Sequence, residues 1–159
     1  MIQATTETAF SIYIQTEDNR IDTSTTSSRI KHLIKFTNDM DGSVTYSYSP
    51  LEVIYNRYSE LPIGYHINPD MYSGKVKLLP AGYWKYEAYE VSWTGTVTLS
   101  SGNAPADEYD VLPVSPNNGV VQGLVTKGKM YLAEKDGTEQ VQYTQRQEPS
   151  GTNYIYYGQ

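Results

Sequence analysis

Short segments in which apolar and polar residues alternate, separated every few residues by turn chemistry, dominate this chain from one end to the other. Side chains on a strand point alternately to opposite faces, so a period of two lets a segment bury one side and leave the other to solvent. Phe10, Ile12 and Ile14 share one side of such a segment. Over Ile30 to Phe36, Ile30, Ile34 and Phe36 face one way, and Lys31 and Lys35 the other. Asp41-Gly42 predicts a tight hairpin turn leading into Val44 to Tyr48, since both residues tolerate positive φ. Over Gly74 to Leu79 a strand is expected, then a Pro80-Ala81-Gly82 turn and a second strand from Tyr83 to Ser92. There Trp84, Tyr86 and Ala88 take one face, against Tyr83, Lys85, Glu87 and Tyr89. Further strands are predicted at Thr96 to Leu99, Val120 to Thr126, Lys129 to Ala133, Gln140 to Thr144 and Tyr154 to Tyr157, with turns at Asn118-Gly119 and Asp136-Gly137.

Leu51 to Tyr58 fits two patterns. Leu51, Ile54, Tyr55 and Tyr58 match a helical face, whereas Leu51, Val53 and Tyr55 match a strand. Pro50 and Pro62 bracket it closely, which favours the strand. No segment sustains a helical period over a dozen residues. The Ser/Thr-rich stretch from Thr23 to Ser28 and the proline-rich, acidic stretch from Ala104 to Pro116 read as loops, the latter long and exposed. Strand and turn spacing therefore predicts an all-β fold of roughly eight to ten short strands, the signature of a sandwich or barrel, and the expectation adopted is a single immunoglobulin-like or jelly-roll-like β-sandwich of short antiparallel strands over residues 1–159. The polar start (Gln3, Thr5, Thr6, Glu7) suggests an extended N-terminal arm over residues 1–9. It is either swapped or partner-bound, or simply docked on a sheet.

Composition removes several function classes. The chain has no cysteine, hence no disulfide, thiolate metal site or cysteine nucleophile. With 12 Lys+Arg against 18 Asp+Glu, a formal charge of -6 and no basic run, direct nucleic-acid binding is not expected. No apolar run approaches the ~20 residues of a membrane helix, and Met1 to Phe10 does not read as a signal peptide. Tyrosine occurs 16 times, against two phenylalanines and two tryptophans. A tyrosine ring carries a wet hydroxyl end, which suits half-exposed contact surfaces as well as small β cores.

Catalytic candidates weigh little. His32 lies on the same side as Ile30 and Ile34 and reads as a packed histidine; His66 stands alone after Gly64-Tyr65. Asn38 to Gly42 begins like a calcium loop, but Tyr48, Ser49 and Pro50 occupy the place of its terminal acid, so a hairpin turn is expected. Glu87 and Glu90, or Asp107, Glu108 and Asp110, would supply paired carboxylates; the latter three fall in the proline-rich loop, where a solvated acidic surface is ordinary. No Gly-x-Ser-x-Gly elbow and no glycine-rich phosphate cradle occurs. The chain is expected not to be an enzyme and to need no cofactor or metal. Trp84 reads as core and Trp93, beside Thr94-Gly95, as an exposed aromatic. Trp93, Tyr83, Tyr89, Tyr156 and Tyr157 are the candidate interface residues.

Leu79-Pro80-Ala81-Gly82-Tyr83-Trp84-Lys85-Tyr86 places aromatics two and four residues after the turn glycine, a pattern that resembles immunoglobulin-like modules of tailed-bacteriophage particles. Ile34 to Asp39 with Gly42, Val44 and Tyr46, then Asn56-Arg57-Tyr58, Val120 to Met130 and Tyr154 to Gly158, are similar to small virion structural proteins of phages, particularly those infecting Bacteroidetes. The resemblance spans roughly residues 30 to 158 and implies a protein of the virion, assembled in the host cytoplasm. An auxiliary capsid (decoration or cement) protein comes first, then a head–tail connector or baseplate adaptor. Implied partners are the major capsid protein or neck and tail subunits, and copies of the chain itself, with no nucleic acid and no membrane. A carbohydrate- or receptor-binding β module is the reading from a different class.

Overall fold

A computed structural model describes residues 1–137. The chain is all-β among these residues, with nine strands: β1 (Ile2–Thr5), β2 (Phe10–Ile14), β3 (Ile30–Asn38), β4 (Val44–Tyr48), β5 (Val53–Ile54), β6 (Ser59–Tyr65), β7 (Lys75–Val76), β8 (Gly82–Ser92) and β9 (Val120–Ala133). Five of them form one sheet in the order β1-β9-β8-β3-β4, and a smaller sheet runs β2-β6-β5, with β7 also paired to β6. β1 lies parallel to β9 and β7 parallel to β6; the other pairings are antiparallel.

The alternating side chains fill one common interior, as their spacing requires. Ile12 and Ile14 of β2 and Leu61 and Ile63 of β6 meet Ile34, Phe36, Trp84, Ala88, Met130 and Leu132 of the larger sheet. Phe10 meets Phe36 edge-on, with ring centroids 6.3 Å apart. A second apolar cluster lies on the other side of the larger sheet. Leu33, Tyr48, Val91 and Trp93 gather there beneath the irregular segment 93–119, which contributes Val97, Leu99 and Ala104. Tyr48 donates its hydroxyl to the Pro105 carbonyl at 2.7 Å, tying that segment to the sheet.

The predicted strands at Phe10–Ile14, Val44 to Tyr48 and Tyr83 to Ser92 reappear within one residue of their expected bounds. Several others change. Leu51 to Tyr58 is not one strand: β5 takes two residues, and Tyr55 to Tyr58 forms a turn in which the Tyr55 N–H donates to the Tyr58 carbonyl at 2.8 Å. β6 follows and runs through Pro62, which sequence reading had used as a boundary. Proline is tolerated because residues 59–60 pair with β5 and residues 64–65 with β7, leaving position 62 between the two partners. The strand expected over Gly74 to Leu79 shrinks to Lys75–Val76 and joins a different sheet from β8, so Pro80-Ala81-Gly82 closes no hairpin. Thr96 to Leu99 is not a strand; its apolar side chains cap the second cluster instead. Val120 to Thr126 and Lys129 to Ala133 are one strand, β9, bulged against β8 at Ala88/Tyr89 and Glu90/Val91.

Turns and ends also differ. The Asp41-Gly42 hairpin has a wider loop, because Asn38 Oδ1 accepts from the N–H groups of Met40 and Asp41 at 2.7 and 3.2 Å, and only Gly42 takes a positive φ of 72°. Asn118-Gly119 opens β9 rather than closing a hairpin. Residues 2–5 do not extend away as an arm: they dock as β1 on the chain's own sheet, with Ile2 opposite Met130. Ala104 to Pro116 is irregular as expected but not wholly exposed, since Ala104 is buried. The strands expected at Gln140 to Thr144 and Tyr154 to Tyr157 lie outside the described residues.

Candidate functional site

Register and alternation decide which side chains reach the outer faces. On the smaller sheet, Tyr13 stands opposite Glu60, and Glu60 opposite Val53. All three point away from the core that Ile12 and Leu61 enter. The next row on that face is Tyr55 with Tyr58, across the β5–β6 turn. The outcome is a stripe of three tyrosines. Tyr55 and Tyr58 rings are 4.8 Å apart, and Tyr58 meets Tyr13 edge-on at 6.0 Å. They remain 43%, 43% and 60% exposed, despite contacting one another. Tyr13 donates its hydroxyl to Glu60 Oε1 at 3.1 Å. Beside Tyr13 an open groove of about 620 Å³ continues over Ser11, Pro62 and Leu51 towards Lys75.

Segment 93–119 covers one end of the larger sheet's outer face, and among the described residues nothing packs over the other end. Tyr83 of β8 stands directly opposite Tyr131 of β9, with ring centroids 5.2 Å apart. The next pair on the same face is Lys85 opposite Lys129. Two like charges facing each other across strands repel. Asp39 offsets this by bridging both, at 3.3 Å to Lys85 and 3.0 Å to Lys129. Those two ammonium groups, through hydrogen bonds first, hold the Asp39 carboxyl below its ordinary range. Met40 and Met1 stand exposed at the rim beside Tyr83.

The five candidate interface residues therefore separate. Tyr83 is exposed, as expected of a contact residue. Trp93 is a correction: it is fully buried, the centre of the second cluster, and Gly119 packs so close that a Cβ there would sit 2.6 Å from its ring. Segment 93–119 folds back over the sheet and covers it, which a local strand-end reading could not reveal. Tyr89 is half-buried against the same cluster and does not join Tyr83 in a patch. Tyr156 and Tyr157 lie outside the described residues. Sequence reading missed Tyr13, Tyr55 and Tyr58. Their signal was present in Tyr13, which faces opposite Ile12 and Ile14, but the register that gathers them needs β6.

The ionisable groups are mostly committed to holding loops. His32 is buried, as expected: its backbone N–H donates to Glu52 Oε2 at 3.1 Å and its ring Nδ1 bonds Glu52 Oε1. Glu90, opposite His32 on β8, is buried and accepts the N–H groups of Ile21 and Asp22 at 3.0 and 2.7 Å. Asp22 in turn accepts the Ser24 and Thr25 hydroxyls at 2.6 and 2.7 Å, and these bonds hold its carboxyl well below the usual range. Glu108 anchors segment 93–119 by accepting from Lys35 at 2.5 Å and from Tyr46 at 2.6 Å. Burial pushes the Glu108 carboxyl up, but those two hydrogen bonds outweigh it and leave the group lowered. The same bond raises Lys35, while burial and then Glu108 raise Tyr46. The acidic loop is thus partly a clamp.

Among the described residues no group of three His, Asp or Glu side chains is placed to hold a metal, and no helix is long and apolar enough to cross a membrane. No known protein family, curated protein or solved structure matches the chain.

Proposed function

We propose that this chain is a non-enzymatic structural component of a tailed-phage virion, an auxiliary capsid protein of the decoration or cement type that stabilises the particle through protein contacts. The observation that carries the reading is a pair of exposed tyrosine patches, one on the outer face of each sheet. With the inner faces of the two sheets joined in one core, Tyr13, Tyr55 and Tyr58 stand on one side of the molecule and Tyr83 and Tyr131 on the other. A cement protein has to hold two neighbours at once, and two opposed aromatic faces suit that task. Tyrosine supplies large contact area with little side-chain entropy to lose.

Strand order supports an immunoglobulin-like sandwich over a jelly roll. In an immunoglobulin variable-type domain one sheet contains strands B, E and D, and the other G, F, C and C′. The orders β2-β6-β5 and β9-β8-β3-β4 follow the same sequence of positions, with β1 added beside β9. The chain departs from antibody domains in having neither the cysteine pair nor a tryptophan on β3.

A head–tail connector or baseplate adaptor would use the same faces. The second reading, a carbohydrate- or receptor-binding module, draws on the tyrosine stripe beside its open groove. Co-sedimentation with empty phage heads separates the two. Under the proposed function the purified chain pellets with heads; a chain left in the supernatant that instead binds immobilised glycans belongs to the second class.

A further inference from the structure

β9 is 14 residues long and borders the larger sheet, yet β1 pairs only with its last four, Met130 to Ala133. Over Val120 to Gly128, the side of β9 turned away from β8 pairs with no strand among the described residues. No loop or side chain there bonds to its main chain either. One bond fixes which groups face this open lane. The Thr6 N–H donates to the Ala133 carbonyl at 2.8 Å, so Ala133 points its main-chain groups away from β8. These groups alternate sides along a strand, and the β8–β9 register is unbroken from Thr126 to Leu132. Lys127 therefore presents both its N–H and its C=O to the lane, where another strand has a ready template.

Side chains along the border say which strand fits. Val120, Leu124 and Ile21 are exposed apolar groups there, with Ile21 Cδ1 3.0 Å from where a Cβ on Gly123 would stand. On the outer face the border carries Lys127 and Lys129, and β9 contains no carboxylate. Lys129 shares Asp39 with Lys85. Lys127 stands opposite Glu87 but forms no ion pair among the described residues, the Glu87 carboxylate lying 3.8 Å from Lys35 instead. Counting Lys35 and Glu108, which pair with each other, four ammonium groups stand against three carboxylates on this face, a local positive excess in a chain of formal charge -6. We infer that the open border of β9 takes up an extended strand of a partner protein that alternates carboxylate with apolar side chains, its carboxylates facing Lys127 and Lys129. The inference goes beyond the proposed function: the contact is made by main chain at a sheet edge and stands whether or not the chain belongs to a virion. Main-chain bonds give such an added strand its affinity, and cross-strand pairs give it selectivity, since opposite charges attract across strands and like charges repel. A second copy offering the same border would bring two more lysines and no carboxylate. The lysines thus oppose self-pairing while they admit an acidic strand.

The test uses the full chain and three synthetic peptides of one valine- and threonine-rich sequence, carrying glutamate, glutamine or lysine at the same two alternate positions. Amide hydrogen exchange is read first on the chain alone. The Lys127 N–H is expected to exchange fast although it lies inside a long strand, whereas the Gly128 N–H, which faces β8, is protected. The glutamate peptide should then bind about tenfold more tightly than the lysine peptide, with glutamine between them, and should slow exchange at Lys127. Methylating the peptide nitrogens that meet β9 should abolish binding; methylating those on its far side should leave binding unchanged. Lys127→Glu, at an exposed position, should keep the fold and remove the preference for glutamate. Slow exchange at Lys127 in the chain alone would mean that residues 138–159 or a second copy already fill the lane, and would overturn the inference. Equal affinity for the three peptides, indifference to methylation on the β9 side, or absence of binding would overturn it as well.

Discussion

Trp93→Ala is expected to destabilise the protein by about 3–5 kcal/mol and to loosen segment 93–119 as a unit. The indole is fully buried and touches material from both sides: Leu33, Tyr48 and Val91 on the sheet and Ala104 on the covering segment. Gly119 packs so closely that a Cβ there would sit 2.6 Å from the ring, so deleting the indole also removes the surface on which the start of β9 rests. Leu33, Val91 and Tyr48 would then face a void, and the apolar side chains Val97 and Leu99 would lose their seat. Trp93→Phe keeps most of the burial and should cost much less. Chemical denaturation measures the loss, and hydrogen exchange shows whether residues 93–119 open before the sheets do. A change under about 1 kcal/mol would mean that the second cluster is not a core at all.

Glu52→Ala should cost about 3–5 kcal/mol, although it deletes only one surface-loop carboxylate in sequence terms. Its two oxygens serve the backbone N–H and the ring nitrogen of His32, and both side chains are almost wholly buried. Removing one member leaves the other without a partner inside the protein, which is more expensive than the bond itself is worth. Because His32 stands opposite Glu90, and Glu90 holds the N–H groups of Ile21 and Asp22, the damage should spread to the loop before β3. The double variant Glu52→Leu with His32→Leu is expected to recover only the side-chain part of the loss, since the ring and the carboxylate are both replaced by apolar groups while the backbone N–H at position 32 still lacks its acceptor. Denaturation of the two variants checks this; a double variant worse than the sum of the singles would contradict the pairing.

Period-two alternation made the all-β class and the long strands legible, because Ile34, Phe36, Trp84 and Ala88 recur where a buried face needs them. Alternation could not say that β3 buries both of its faces. Leu33 and Ile34 are both fully buried, one in each cluster, since segment 93–119 lies across the outside of the sheet. That same covering hides Trp93 and moves the exposed aromatics elsewhere. Pro62 misled the boundary of β6 because a proline is excluded from a strand only where its nitrogen owes a hydrogen bond to a neighbour. The tyrosine stripe was illegible for a related reason. Tyr13 lies 45 residues before Tyr58 in number, and only the β2–β6 register brings their rings together. Local pattern fixes which way a side chain points, whereas a surface patch depends on which strands become neighbours.

Reconstruction of phage particles that carry the chain under the proposed role, at side-chain detail, tests most directly whether the outer sheet faces are where it works. The expected map has Tyr13, Tyr55 and Tyr58 covered by one neighbouring chain and Tyr83 with Tyr131 covered by another. A map with both tyrosine faces open to solvent, and the chain held through its loops alone, would contradict the proposed role of those faces.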